Sequence, residues 1–250
     1  MGTVASLSQK DIENGLREVG LSSGMMVEVH SSLSSFGHVQ GGADTVIRAL
    51  QNAVGEDGTI VMPAFRISPP HPLTSEDKSR GLVMKLKVLA PDHRERSGMG
   101  RIADTFQKRP DVLTGEGMFR VCAWGKDREI HSQGLRHLID NGGYGLLMGV
   151  DIYRLSSMHY MEGKLPRQVR DLFAPSQAVK VYYPEDEWFV ETGVPPVKAW
   201  YKIQDEAYRL GYIRDIMIGN SKCMFFKVFD VVGLYEKALR TDPLGLYGLK

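Results

Sequence analysis

Cysteine is nearly absent from this sequence, with Cys122 and Cys223 the only two in 250 residues. They lie far apart and form no CxxC, which excludes a disulfide framework and a cysteine zinc site and points to a reducing compartment. Charge of one sign is also missing, because 31 Lys and Arg face 30 Asp and Glu and leave a net charge of +1. Nucleic-acid binding that rests on phosphate contacts normally shows as a concentrated basic face. The basic residues between 78 and 109 are instead interleaved with Asp, Glu, Pro and apolar residues, the pattern of a solvated loop and helix. No apolar run approaches the roughly 20 residues of a membrane span, and Met1 to Lys10 lacks the basic-then-apolar layout of a signal peptide. The expectation is a cytoplasmic protein with neither nucleic-acid nor membrane partners. The P-loop GxxxxGK[ST], the dinucleotide GxGxxG and the zincin HExxH are absent as well, and neither Ser31 nor Ser157 lies in a nucleophile elbow GxSxG.

What is present reads as one α/β domain over residues 1 to 250, with a hairpin-rich part from about 167 to 250. Ser8 and Asp11 form a capping box, and Ile12, Leu16 and Val19 follow at helical spacing until Gly20. Met25 to His30 reads as a buried strand, followed by the small-residue loop SSLSSFGHVQGG. A helix carrying Val46, Ile47, Leu50, Ala53 and Val54 comes next, then a strand from Thr59 to Met62. Strand, helix and strand at this distance predict a parallel βαβ unit. Ala64 to Ser97 has four prolines and little periodicity, a length of loop that is usually functional or disordered. A short helix over Met99, Ile102 and Phe106, strands at Val121 to Trp124 and Leu146 to Val150, and a helix through Leu135, Leu138 and Ile139 complete the first part. Further on, Ala178 to Tyr183 and Trp188 to Glu191 read as a hairpin around PEDE, and Asp215 to Ile218 with Lys222 to Phe226 as a second around Gly219-Asn220. A closing helix carries Val231, Leu234, Tyr235, Ala238 and Leu239. The fold class is a mixed sheet with a parallel βαβ core and an antiparallel C-terminal portion.

Two segments can carry chemistry. In the loop after the first strand, Ser31, Ser32, Ser34 and Ser35 offer hydroxyls, Gly37, Gly41 and Gly42 permit close backbone approach, and a helix N-terminus follows. A phosphate or pyrophosphate suits it, and a serine-rich helix-capping turn is the plainer alternative. In LSSMHYMEG, His159 and Glu162 at i and i+3 share a helical face, so the imidazole could serve as a base oriented by the carboxylate. A surface His and Glu without a task is the plainer alternative there. Asp151 can face a ligand or cap a helix, and His131 and His137 read as solvated helix positions. A metal site is not expected, and a serine nucleophile at Ser31 or Ser157 with His159 is disfavoured because neither serine lies in a GxSxG.

VHSSLSSFGHVQGGADTVIRALQNAVGEDGTIVMPAF, from Val29, resembles the opening of the aminoglycoside N3-acetyltransferase family, which is distinct from the GNAT enzymes. MGRIADTFQKRPDV resembles that family's MGxIPExFRxxPGV, AWGKD its AxG turn, and LLMGVDIYRLSSMHYMEG its LLLGVGxxxxTSxHxxE block, all in order. The resemblance implies an antibiotic N-acetyltransferase fold, acetyl-coenzyme A as co-substrate, and acetyl transfer to an amine, typically of an aminoglycoside. It implies that Ser31, Ser32, Leu33, Ser34, Ser35, Phe36 and Gly37 line the coenzyme A site with Phe65, Ile102 and Phe106 nearby. His159 matches the active-site histidine and Glu162 its accompanying glutamate. The chain departs from the family at Gly115 to Arg120, where GEGMFR stands in place of SxHPxHS. The alternative function is therefore a coenzyme A-binding member with altered or lost acceptor chemistry. A cationic acceptor predicts carboxylates around its pocket, with Asp151, Asp171 and the run Glu185 to Glu187 as candidates, and the expected assembly is a monomer or homodimer.

Overall fold

The computed structural model describes residues 6–171, 174–193 and 197–249; the side chains of Glu162 and Val197 lie outside the described residues. Its strands are β1 (Met26–Ser31), β2 (Thr59–Pro63), β3 (Leu82–Lys87), β4 (Leu113–Thr114), β5 (Val121–Gly125), β6 (Tyr144–Met148), β7 (Trp188–Thr192), β8 (Arg214–Ile218) and β9 (Ser221–Lys227). Seven of them form one sheet in the order β4-β5-β2-β1-β6-β9-β8, and β3 and β7 form a separate ribbon. The predicted βαβ unit is present, since β1 pairs parallel with β2 across the Gly42–Val54 helix. β1 also pairs parallel with β6, while β5, β9 and β8 join antiparallel, which makes the sheet mixed.

Alternation along the central strands divides the core into two layers, because successive side chains leave a strand on opposite faces. Val27 and Val29, with Ile60, Met62, Leu146 and Met148, meet the Gln9–Val19, Gly42–Val54 and Arg101–Gln107 helices. The first of these starts at the Ser8 capping box and turns fully buried Ile12, Leu16 and Val19 to the sheet, each contributing about 1.5–3 kcal/mol. On the other face Val61, Leu147, Met224 and Phe226 meet the Val197–Arg209 and Val228–Thr241 helices and the 3-10 segment Ser156–Lys164. Cys122 and Cys223 are free and buried, and burial pushes their thiols up to about 12 and about 11, so neither is a nucleophile at neutral pH.

Three expectations need correction. Gln177–Tyr182 is a helix, because Ser176 caps it and the buried residues Val179 and Tyr183 are four apart, a helical and not a strand spacing. The hairpin around PEDE is therefore absent, and Trp188–Thr192 pairs antiparallel with Leu82–Lys87 out of the proline-rich segment. The second, around Gly219-Asn220, is present. His131 is buried at 1 % exposure with its ring edge-on to His137, so it is a packing residue.

Asp77 fastens the ribbon. It accepts from Thr74 N–H at 2.7 Å, from Lys85 Nζ at 2.6 Å and from the Tyr183 hydroxyl. The Lys85 ammonium, helped by Tyr183, holds its carboxyl well below the usual range. A carboxyl lowered by folding contributes stability that is fully present above its unfolded value near 4 and is lost as pH falls through the folded value. The difference in urea midpoint between wild type and Asp77→Asn is expected to be largest at pH 6 and to shrink steadily towards pH 2. A difference that stayed constant across that range would show that the Asp77 charge contributes nothing.

Candidate functional site

Between β1 and β6 the chain leaves in different directions, with β1 crossing to β2 on one side while β6 lies on the other. Open sheets place ligands in the crevice outside the carboxyl ends at such a point. A cleft of about 1350 Å³ opens there, with His30 and Ser31 from β1, Pro63 from β2 and Gly149 after β6 among its lining. It exceeds the roughly 300–1,000 Å³ of ordinary small-molecule sites.

The serine-rich loop forms one wall. Ser32 N–H donates to Met148 O at 2.9 Å, which hangs the loop on the end of β6. Ser31, Ser32, Leu33, Ser34 and Gly37 line the cleft, and Gly42 at the start of its helix continues the wall. Ser35 holds the loop, bonding Ser32 O at 2.6 Å and Ser221 Oγ at 2.8 Å. Gly149 allows this approach, since it has φ +67° and a Cβ there would lie 1.8 Å from Ser35 Oγ. Phe36, Ile102 and Phe106 sit in the apolar core at 2 %, 0 % and 0 % exposure and do not line the cleft. Ile102 and Phe106, one helical turn apart, share the inward face of their helix. Phe65 does line the cleft.

His159 lines the same cleft. Its ring is edge-on to Trp200 with centroids 5.0 Å apart, and Trp200 is itself buried at 1 % exposure against Tyr153 and Tyr235. The exposed imidazole thus rests on a fixed indole. The Ser156–Lys164 segment places the Glu162 backbone one 3-10 turn beyond it.

Beneath His159 is a buried polar cluster that sequence reasoning did not assemble. Glu28 and His30, at i and i+2 of β1, point to the same face, with Glu28 Oε1 2.8 Å from His30 Nε2. Ser157 donates its N–H to Glu28 Oε1 at 3.1 Å and its hydroxyl to Oε2, and Ser156 N–H points at His30 Nε2 at 3.2 Å. Two side chains of the central strand thereby grip the start of the turn that carries His159. The alternation Val27-Glu28-Val29-His30 was the visible signal, two polar residues on one face of an otherwise apolar strand. Ser157 is fully buried with its hydroxyl committed to Glu28, which removes it as a nucleophile or as an oxyanion donor.

None of the anticipated acidic candidates reaches the cleft. Asp151 accepts from Tyr153 N–H at 3.1 Å and from the Tyr201 hydroxyl at 2.6 Å, so it caps a turn. Asp171 pairs with Arg167 on an exposed helix, and Glu185 pairs with Lys180. The carboxylates among the described lining residues are Asp104 and Glu191, and Asp104 is bonded by the Ser97 hydroxyl at 2.5 Å. Arg94, Arg96, Arg101 and Lys108 do line it, with Arg154. Four cations of the segment read as a solvated loop and helix therefore line one cleft, which its interleaved sequence conceals.

The architecture is that of an α/β enzyme whose cleft joins a phosphate-compatible loop to an imidazole. The model of the aminoglycoside 3-N-acetyltransferase family matches residues 29–240, and the chain belongs to that family and is an acyltransferase. It is 29 % identical to the SPbeta prophage-derived aminoglycoside N(3')-acetyltransferase-like protein YokD of Bacillus subtilis (strain 168), over 92 % of this chain and 91 % of that protein. It is 25 % identical to an aminoglycoside N(3)-acetyltransferase III of Salmonella sp, over 95 % and 94 %. The fold matches the crystal structure of aminoglycoside acetyltransferase AAC(3)-IVa with a TM-score of 0.72 at 19 % identity, covering 98 % of this chain and 93 % of that one. It also matches AAC-IIIb in its binary complex with CoASH, with a TM-score of 0.68 at 18 % identity, covering 94 % and 97 %. No helix among the described residues is long and apolar enough to cross a membrane.

Proposed function

We propose that the protein transfers the acetyl group of acetyl-coenzyme A to a primary amine of an aminoglycoside or related amino compound, by direct attack with His159 as the base. The observation that supports this reading is that His159 lines one cleft together with Ser31, Ser32, Leu33, Ser34 and Gly37 of the serine-rich loop. The residues present fit the co-substrate. Ser31, Ser32 and Ser34 offer hydroxyls, Gly42 opens a 13-residue helix whose N-terminal amides favour phosphate, and Arg101 and Lys108 supply cations. Acetyl-coenzyme A brings an acyl group already activated as a thioester.

An alkyl ammonium has no lone pair, so the acceptor must reach its neutral form before it attacks. His159 takes the proton from the amine as the N–C bond forms, the C–S bond breaks, and the thiol leaves with a proton. The backbone N–H groups of Leu33 and Ser34, rather than Ser157, are the donors for the developing oxyanion, since those of Ser32, Ser35 and Gly37 are already bonded. Glu28 and His30 act at one remove by holding the Ser156–Ser157 backbone. Thiol release from acetyl-coenzyme A is expected to depend on added amine, with an acetylated amine recovered by mass spectrometry. Coenzyme A binding by calorimetry with no amine acetylated would instead favour a binding protein that has lost acceptor chemistry, the reading suggested by the replaced Gly115–Arg120 segment.

A further inference from the structure

The stretch Gly115–Arg120, which replaces a polar family segment, puts an aromatic ring into the cleft. Phe119 is half exposed, at 50 %, and stands edge-on between two other phenylalanines. Its ring centroid is 5.3 Å from Phe65 and 5.5 Å from Phe189, with interplanar angles of 80° and 84°. The three come from separate parts of the chain, and all three line the cleft. Their backbone is held firmly. Arg66 N–H donates to Met118 O at 2.8 Å and Ala64 N–H to Arg120 O at 2.9 Å. The Arg120 guanidinium donates to Ala64 O at 3.2 Å and to Pro91 O at 2.9 Å.

The ribbon extends this wall. Its register sets Leu86 opposite Phe189 and Met84 opposite Glu191, and these four face the cleft. Val190 and Trp188 turn the other way and pack with Tyr183 and Val179. One face of the ribbon thus closes its own small core, and the other presents methionine, leucine, phenylalanine and one carboxylate to the site. The serine loop and the helix bearing Arg101 and Lys108 form the polar side that suits a polyanion, so the aromatic wall is left for the second substrate. Rings held edge-on and open to water gain by covering a flat apolar body, because such a body removes apolar surface from water and meets ring edges. Charge points the same way. Arg94, Arg96 and Arg154 also line the cleft, whereas Glu191 is the carboxylate of the ribbon face. Each further ammonium on an acceptor would face Arg94, Arg96, Arg101, Arg154 and Lys108 against two carboxylates, Asp104 and Glu191, among the described lining residues.

We infer that the acceptor is a monoamine on an aromatic or flat apolar body, seated against Phe65, Phe119 and Phe189. This rests on the acetyltransferase reading and narrows its acceptor class away from polyamino sugars. The test compares 2-phenylethylamine, ethylamine and gentamicin as acceptors with acetyl-coenzyme A, for wild type, Phe119→Ser and Phe119→Tyr. Wild type is expected to favour 2-phenylethylamine over gentamicin in kcat/KM by about tenfold or more. Phe119→Ser is expected to cut the preference for 2-phenylethylamine over ethylamine by about tenfold, through KM rather than kcat, and Phe119→Tyr to restore it. Half exposure of Phe119 keeps the fold out of the comparison, which equal melting temperatures check. Gentamicin turned over with 2-phenylethylamine inert would overturn the inference and leave acetyl transfer standing. No amine acetylated at all would overturn both. If Phe119→Ser changed the KM ratio of hexanoyl- to acetyl-coenzyme A and left the amine preference intact, the wall would belong to the acyl donor and the inference would fall.

Discussion

Replacing His159 with alanine is expected to lower kcat by about 10²–10⁴-fold, the usual contribution of a positioned general base, while leaving the KM for acetyl-coenzyme A within about twofold. The two effects separate because the imidazole and the serine-rich loop come from different elements of the cleft lining, and the loop is the part assigned to the co-substrate. His159 is exposed and rests on the edge of Trp200, so its removal opens no core cavity and the melting temperature should hold. Stopped-time thiol release under saturating substrates measures the loss. A variant that kept its kcat would eliminate His159 as the base and turn attention to His30, which lines the cleft and bonds the Glu28 carboxylate.

Glu28→Leu should produce the largest loss of stability. Leucine fits the volume roughly but accepts nothing, so the Ser157 N–H and hydroxyl and the His30 ring lose their partner in a region where Glu28 and Ser157 are at 1 % and 0 % exposure. Breaking a buried polar pair by removing one partner costs about 3–5 kcal/mol, and in a chain of this size each kcal/mol lowers the melting temperature by about 2–4 °C. A fall on the order of 10 °C is therefore expected by calorimetry. Glu28→Gln, which keeps an acceptor for Ser157, should lose much less. If Glu28→Leu melted within a degree or two of wild type, the cluster would not be what holds the His159 turn to β1.

Local pattern carried much of the fold into view. The Ser8–Asp11 box, the apolar stripe of the Gly42–Val54 helix and the strand after Gly58 are all set by contacts within a few residues, and each appears where its spacing puts it. The Val197–Arg209 helix was equally legible and went unread. Ala199, Trp200, Ile203 and Ala207 are its buried face at helical spacing, masked by the prolines just before it. The β3–β7 ribbon was not legible. Leu82–Lys87 lies in a charged, proline-rich context, and its partner strand is about a hundred residues away, so no local periodicity announces the pair. Ile102 and Phe106 show a finer distinction, since the family resemblance sets them near the co-substrate and their helical phase decides that both side chains enter the core and leave the lining to their neighbours Met99, Gly100 and Arg101.

The site divides along the same line. By itself the sequence determined the family and the serine-rich loop at the end of the first strand, and it singled out the histidine at position 159 for the role proposed above, because a motif records which residues must be near one another in chain order. Only the tertiary structure decided what stands around them. Glu28 meets Ser157 across 129 positions of sequence, four dispersed cations line one cleft, and Phe119 closes between Phe65 and Phe189. Those juxtapositions depend on sheet order and strand register, which are cooperative properties of the whole chain and leave no mark on the spacing of neighbours.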